Sequence, residues 1–128
     1  MNLASVHDVS SKLPNGSPPL NVLRFRPNIL ITGPPAFHED DWTEARIGTF
    51  KYHISCRTTR CKLPNVDPDT GIADRNQPGT TMRKYRIIDP GSKSACLGMQ
   101  VSPLGQGEVS VGDTVEVLQI GKHFFLKE

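Results

Sequence analysis

The chain has 128 residues, of which 36% are hydrophobic and 22% charged, and its formal net charge is +2. This length suits one domain, and so small a charge excludes the basic footprint of a general nucleic-acid-binding protein. No apolar run approaches the roughly 18 residues of a transmembrane helix, and the N-terminus lacks the pattern of a signal peptide. Eleven glycines and eleven prolines predict many turns and a mixed α/β, β-rich fold.

The first predicted elements are a helix, a strand and an acidic segment. Apolar residues recur every three or four positions over residues 2–13, which predicts a short amphipathic helix. Residues 28–32 predict a buried strand that ends at Gly33. The acidic run 39–41 is expected to be a solvated turn or a helix start rather than a metal site. The apolar positions of the helix are Leu3, Val6, Val9 and Leu13.

Apolar and polar residues alternate over residues 50–56, which predicts a half-buried strand. Cys56 is on the apolar face of this strand and is predicted to be a small core residue. Cys61 follows in a polar loop, so the two thiols are expected to have different roles. Residues 67–71, Asp-Pro-Asp-Thr-Gly, have turn chemistry at every position.

Two more elements are predicted towards the C-terminus. Thr80 or Thr81 is expected to cap a short helix that carries Met82. Valines on both sides of Gly112 and Asp113 predict a hairpin within residues 108–128 that closes a sheet.

Three cysteines, an odd and low number, predict free thiols in a reducing compartment rather than a disulfide framework. Cys61 has cationic neighbours, which favour the thiolate. A structural zinc site needs four ligands, and near Cys61 the sequence offers only Cys56 and His53. A cysteine hydrolase needs a histidine base, for which no histidine has a recognisable context.

The third possibility is an anionic cofactor that carries a soft metal, with a thiolate as its ligand. Arg26 could grip a phosphate through forked hydrogen bonds, and Asn28 could offer amide hydrogen bonds to a polar ring. The alternative for Arg26 is an ordinary surface ion pair.

Several short motifs follow one another along the chain. They are Arg-Phe-Arg-Pro-Asn-Ile at 24–29, Gly at 33, Glu-Asp-Asp-Trp at 39–42, Ile-Gly at 47–48, Thr-Arg-Cys at 59–61, Val-Asp-Pro-Asp-Thr-Gly at 66–71 and Val-Gly-Asp at 111–113. These motifs occur in the same order in MOSC domains, which the chain resembles from about residue 2 to residue 117. MOSC domains are the C-terminal parts of molybdenum cofactor sulfurases and of the mitochondrial amidoxime-reducing component.

The resemblance implies a MOSC-type β-barrel with short peripheral helices. Residues 1–128 are expected to be the C-terminal part of that domain, incomplete at the N-terminus. A barrel without its first strands has open edges, so residues 1–128 alone are expected to bind cofactor poorly.

The resemblance further implies a molybdenum cofactor in its molybdopterin form. Cys61 is implied to be the catalytic residue, ligating molybdenum through its thiolate, and Ser5 is expected to offer the cofactor a hydroxyl. The amidoxime-reducing proteins usually carry a second cysteine at the position of Thr58. The residues implied to bind the cofactor are Arg26, Asn28, Thr59, Arg60 and Cys61.

The implied activity is an oxidoreductase that removes oxygen from N-hydroxylated substrates at the metal. Its electrons are implied to come from a cytochrome b5-type donor and an NADH-dependent reductase, in a cytoplasmic or mitochondrion-associated location. Two alternatives stay open, a sulfur-carrier MOSC domain of a sulfurase-type protein and a non-catalytic cofactor-binding module. No lysine has the context of a Schiff-base site, so pyridoxal-phosphate desulfurase activity is not expected in this chain.

Overall fold

The computed structural model describes residues 1–123, which form a four-stranded antiparallel sheet with short helices around it. The spatial order of the strands is β3-β2-β1-β4. The strands are β1 (Trp42–Ile47), β2 (Phe50–Thr59), β3 (Cys96–Pro103) and β4 (Val115–Ile120). The α-helices are α1 (Leu3–Ser11) and α2 (Gly79–Arg83), and 3-10 turns cover Val22–Phe25, His38–Asp41 and Leu63–Asn65.

The predicted mixed, β-rich fold with few short helices is therefore confirmed. Within residues 1–123 the sheet is open, because β3 pairs only with β2 and β4 only with β1. The described part of the chain thus shows a sheet with two edges and not a closed barrel.

Helix α1 forms where the apolar spacing predicted it. The side chain of Asn2 accepts a hydrogen bond from the Ala4 amide (3.1 Å) and caps its first turn. Val6 and Val9 are fully buried on its inner face. The helix ends at Ser11, before Pro14, which cannot continue a helix.

Strand β2 is longer than predicted and ends only at Thr59. Tyr52 and Ile54 are buried as the alternation predicts. A shift of register between Ile54 and Cys56 then interrupts the pairing with β3. Cys56 is consequently half-buried, and the buried thiol of the core is Cys96 instead.

The segment 28–32, predicted as a buried strand, is irregular. Only Ile31 has a strand-like partner, in an isolated parallel bridge to Asn2. Leu30 is 43% exposed, so the apolar run is not buried as a whole. That prediction was wrong, because an apolar run of three residues does not by itself specify a pairing partner.

The acidic run was predicted to be a solvated turn or a helix start. It lies in the 3-10 turn His38–Asp41, which agrees with a helix start, but Glu39 and Asp40 are buried rather than solvated. Glu39 is buried and accepts hydrogen bonds from the side chains of Asn2 (3.0 Å) and Ser5 (2.7 Å). Asp40 is buried against Arg86, with an N–O distance of 2.8 Å. Only Asp41 is exposed, at the end of the 3-10 turn.

The last two predicted elements differ in detail. Helix α2 contains the buried Met82, but it begins after Pro78 and has no side-chain cap from a threonine. The turn at Gly112 does not make a local hairpin, because the strand that follows it pairs with β1, Ile47 opposite Val115. Residues 124–128 of that prediction lie outside the described residues.

Candidate functional site

A pocket of about 520 Å³ opens where the end of β2 meets the segment that follows the 3-10 turn Val22–Phe25. The five residues predicted to bind the cofactor all line it, although they come from two segments more than 30 positions apart. The lining residues are Arg24, Phe25, Arg26, Pro27, Asn28, Thr59, Arg60, Cys61, Leu63 and Pro64.

Cys61 is exposed and lies two residues beyond the end of β2. Its Sγ accepts a hydrogen bond from the Leu63 amide, at 3.3 Å. The 3-10 turn that begins at Leu63 fixes this amide. The loop thus presents an exposed sulfur, the kind of donor atom that soft metals prefer.

Arg60 lines the pocket, but its guanidinium also forms hydrogen bonds inside the protein. Its Nε and Nη2 donate to the Leu97 carbonyl oxygen (2.8 and 2.7 Å), and its Nη1 donates to that of Phe25 (2.9 Å). Burial lowers the pKa of Arg60 to about 10, so the guanidinium stays charged at neutral pH. Arg60 thereby ties the segment that carries Arg26 to strands β2 and β3.

Gly98 makes room for this guanidinium. Its φ of +82° is a left-handed conformation, and a Cβ there would lie 3.1 Å from Cε of Met1 and 3.2 Å from Nη2 of Arg60. A side chain would be strained by the backbone and crowded by the arginine. The importance of Gly98 was not predicted, because it depends on residues that are distant in the sequence.

Arg26 is exposed and has the left-handed backbone conformation, with φ 50° and ψ 51°. Such a conformation is uncommon for a residue with a side chain and often marks a functional position. Within residues 1–123 its guanidinium has no hydrogen-bond or ion-pair partner, and the same holds for the exposed amide of Asn28. Both groups can therefore donate to a ligand in the pocket.

Arg24 is a pocket residue whose role was not predicted. Its Nη1 donates to the Pro64 carbonyl oxygen (3.2 Å) and its Nη2 to Oδ2 of Asp67 (3.1 Å). Oδ1 of Asp67 accepts from the amides of Asp69 and Thr70 at 2.8 and 3.0 Å, which confirms the predicted turn. Those backbone bonds, with a smaller effect of Arg24, hold the pKa of Asp67 below its ordinary value.

Ser5 does not offer its hydroxyl to the pocket. It is fully buried, donates to Glu39 Oε1 (2.7 Å) and accepts from the Phe37 amide (2.8 Å). The expectation that Ser5 contacts the cofactor was therefore wrong. Thr58 also has an internal partner, since its Oγ1 accepts from Gln100 Nε2 at 3.2 Å.

A second cavity of about 370 Å³ lies over the face of the sheet. It shares the segment Phe25–Asn28 and Arg60 with the first pocket. Its remaining lining is largely apolar and includes Trp42, Tyr52, Ile54, Met99 and Val101.

Within residues 1–123, no cluster of three or more histidine, cysteine, aspartate or glutamate side chains is arranged to hold a metal. Among the residues that line the pocket, Cys61 is the only one whose side chain is a thiol, an imidazole or a carboxylate. None of the helices in the described part of the chain is long and apolar enough to cross a membrane.

A sequence model of the MOSC domain matches residues 1–116. The chain belongs to the MOSC domain family. It is 38% identical over 120 residues to the mitochondrial amidoxime-reducing component 1 of Mus musculus and to component 2 of Homo sapiens, a match that covers 90% of this chain. It is 44% identical over 96 residues, 71% of this chain, to component 2 of Rattus norvegicus. The matches cover 34%, 35% and 28% of these relatives, so the chain spans about a third of their length.

Proposed function

We propose that this MOSC domain binds a molybdenum cofactor of the molybdopterin type, with Cys61 as the catalytic residue and metal ligand. The observation that supports this most is the pocket itself. It combines an exposed thiol just beyond β2 with Arg26 and Asn28 of a distant segment, whose side chains have no partner within residues 1–123. The activity proposed for the whole protein is the reduction of N-hydroxylated substrates by removal of oxygen.

The residues present fit such a group. A thiolate is a soft donor, the planar guanidinium of Arg26 suits a phosphate, and the amide of Asn28 can both donate and accept. Because Cys61 has no companion ligands among the described residues, the other ligands of the metal would have to arrive with it. A pterin that carries its own sulfur donors meets that requirement, whereas a bare zinc ion does not.

The chain's residues would bind and orient the group, and the bound cofactor would supply the electron transfer. Arg26 and Asn28 would hold its polar and anionic parts. Cys61 would hold the metal, with its sulfur restrained by the Leu63 amide at 3.3 Å. Thr59 and Arg60 would form the wall of the pocket between these two ends.

The names of the relatives favour the reductase over the sulfur-carrier alternative, since each is called an amidoxime-reducing component. Because the chain spans about a third of their length, the complete activity is a proposal. So are the cytochrome b5-type electron donor and its NADH-dependent reductase. The closed barrel that the family implies is likewise proposed; it would require partners for the open edges of β3 and β4.

The natural gene product that carries these residues provides the test. We expect about one molybdenum and one pterin per chain, together with reduction of an N-hydroxylated amidine. Cys61→Ala should lose this activity, whereas Cys56→Ser, a change at the neighbouring half-buried thiol, should keep most of it. Absence of both molybdenum and pterin from the wild type, or full activity in Cys61→Ala, would refute the proposal.

A further inference from the structure

A single arginine joins the two segments that build the pocket. Arg24 is two residues before Arg26, and its side chain is only 14% exposed. It reaches the loop after Cys61, where it donates to the Pro64 carbonyl oxygen (3.2 Å) and to Asp67 Oδ2 (3.1 Å). The guanidinium of Arg24 thus holds residues 64 and 67 of that loop at the same time.

The stretch held by Arg24 overlaps the 3-10 turn Leu63–Asn65, which supports Cys61. The Asn65 amide donates to the Lys62 carbonyl oxygen (3.0 Å) and the Val66 amide to that of Leu63 (2.9 Å). This geometry aims the Leu63 amide at Sγ of Cys61. The orientation of the thiol therefore depends on the position of the turn.

Asp67 is a rigid anchor for the arginine. Its Oδ1 is fixed by the amides of Asp69 and Thr70, and its own amide donates to the Ile72 carbonyl oxygen at 2.8 Å. The second oxygen, Oδ2, is therefore held in place for Arg24. A planar guanidinium with two fixed acceptors loses little orientational freedom when it binds them.

We propose that Arg24 is a positioning residue for Cys61. It sets the distance between the anion-binding segment 26–28 and the thiol, and it keeps the Leu63 amide directed at the sulfur. Arg60 supports the same junction through a separate bond, because its Nη1 donates to the Phe25 carbonyl oxygen. The consequence for cofactor binding rests on the proposed function, but the effect on the turn does not.

The test compares Arg24→Gln and Asp67→Asn with Arg46→Gln. Arg46 forms an ion pair with Glu116 (2.7 Å) on the exposed side of the sheet, with 37% of its side chain exposed, and so controls for the loss of an arginine elsewhere. Hydrogen exchange is measured by mass spectrometry in the cofactor-free chain. In Arg24→Gln, amides in residues 62–67 should exchange about tenfold faster, because hydrogen bonds to a charged group are lost.

The pattern of exchange separates positioning from a general structural role. Exchange in α1 and in β1 should match that of the wild type. The double variant Arg24→Gln/Asp67→Asn should add little to either single change. Arg24→Lys should recover part of the protection. Unchanged exchange in residues 62–67, or an equal rise throughout the chain, would overturn the inference.

A second readout connects the turn to the cofactor. In the natural gene product, Arg24→Gln should retain at least several-fold less molybdenum than Arg46→Gln at a similar thermal midpoint. Equal retention would contradict a positioning role. If the wild type holds no molybdenum, the proposed function fails, while the exchange experiment still decides whether Arg24 orders the turn.

Discussion

The Nη1 of Arg60 donates to the carbonyl oxygen of Phe25 at 2.9 Å, and this bond joins the end of β2 to the segment that carries Arg26 and Asn28. Residues 35 positions apart in the sequence are thereby fixed at one pocket. The family resemblance implies that Arg60 lies against a cofactor. The geometry adds that most of its donors are used inside the protein.

Arg60 and Arg26 should therefore respond differently to substitution. Arg60→Met leaves the buried carbonyl oxygens of Leu97 and Phe25 without donors, and should lower the free energy of unfolding by about 2–4 kcal/mol. Arg26→Met removes an exposed cation without a partner in the described residues. It should change the free energy of unfolding by less than about 0.5 kcal/mol. Urea denaturation of the two variants measures both. Equal losses of stability would contradict these assignments.

Substitution of Gly98 should lower the free energy of unfolding for two reasons that can be separated. Gly98→Ala adds a left-handed strain of about 1–2 kcal/mol and crowds both Cε of Met1 and Nη2 of Arg60. Gly16→Ala is a matched control, because Gly16 has φ +83° and a Cβ added there would have no atom within 4 Å. The extra loss of unfolding free energy in Gly98→Ala is the effect of crowding. If thermal denaturation shows the same shift for both, Arg60 does not depend on Gly98.

The loss of stability on substitution of each of the three cysteines should increase with the burial of its thiol. Cys96→Ser places a hydroxyl in the fully buried site and should destabilise by about 1–3 kcal/mol, whereas Cys56→Ser, at a half-buried site, should cost less than about 1 kcal/mol. Cys61→Ala should leave stability nearly unchanged, since its thiol is exposed. Chemical denaturation in a reducing buffer gives the order. A larger loss for Cys61→Ala than for Cys96→Ser would reverse it.

Asp40 and Glu116 provide a comparison of buried and exposed ion pairs. Asp40→Ala leaves the buried Arg86 without its partner and should cost about 3–5 kcal/mol. Glu116→Ala breaks a pair whose carboxylate side chain is 58% exposed and should cost less than about 1 kcal/mol. Denaturant unfolding of both variants measures the difference. Similar costs would mean that Asp40 is not sealed from solvent.

The stability of the protein should depend on pH through the carboxylate of Asp67. Its pKa in the folded protein is lowered, chiefly by the amides of Thr70 and Asp69. The contribution of the carboxylate is complete above the unfolded value of about 3.9 and is lost as pH falls through the lower folded pKa. Between neutral pH and about pH 3, the thermal midpoint of wild type should therefore fall further than that of Asp67→Asn. Identical pH profiles for Asp67→Asn and wild type would contradict the lowered pKa of Asp67.

Local patterns predicted only part of the fold. Helix α1 and the turn at Asp67 are encoded by neighbouring residues, and the structure confirms both. Strand β1 was not predicted, because register shifts between Trp42 and Ala45 break its alternation. Strand β3 was also missed, since its first half is buried and its second half exposed, with Gly98 inside it. Pairing of β4 with β1 is non-local, so the turn at Gly112 could not reveal it.

The candidate site was predicted from ordered motifs rather than from physical patterns. These motifs singled out Arg26, Asn28 and Cys61, and the fold brings them to one pocket. They did not reveal that Arg24 holds the turn after Cys61 or that Ser5 is buried against Glu39. Such roles depend on partners distant in the sequence.

Counting the sulfur ligands of molybdenum tests the central claim most directly. X-ray absorption at the molybdenum edge should be recorded on the natural gene product and on its Cys61→Ser variant, which keeps the size of the side chain and removes the thiolate. If Cys61 is the ligand, the variant should show one sulfur fewer per molybdenum at a metal–sulfur distance while its pterin content is retained. The same sulfur count in both proteins would show that Cys61 does not bind the metal.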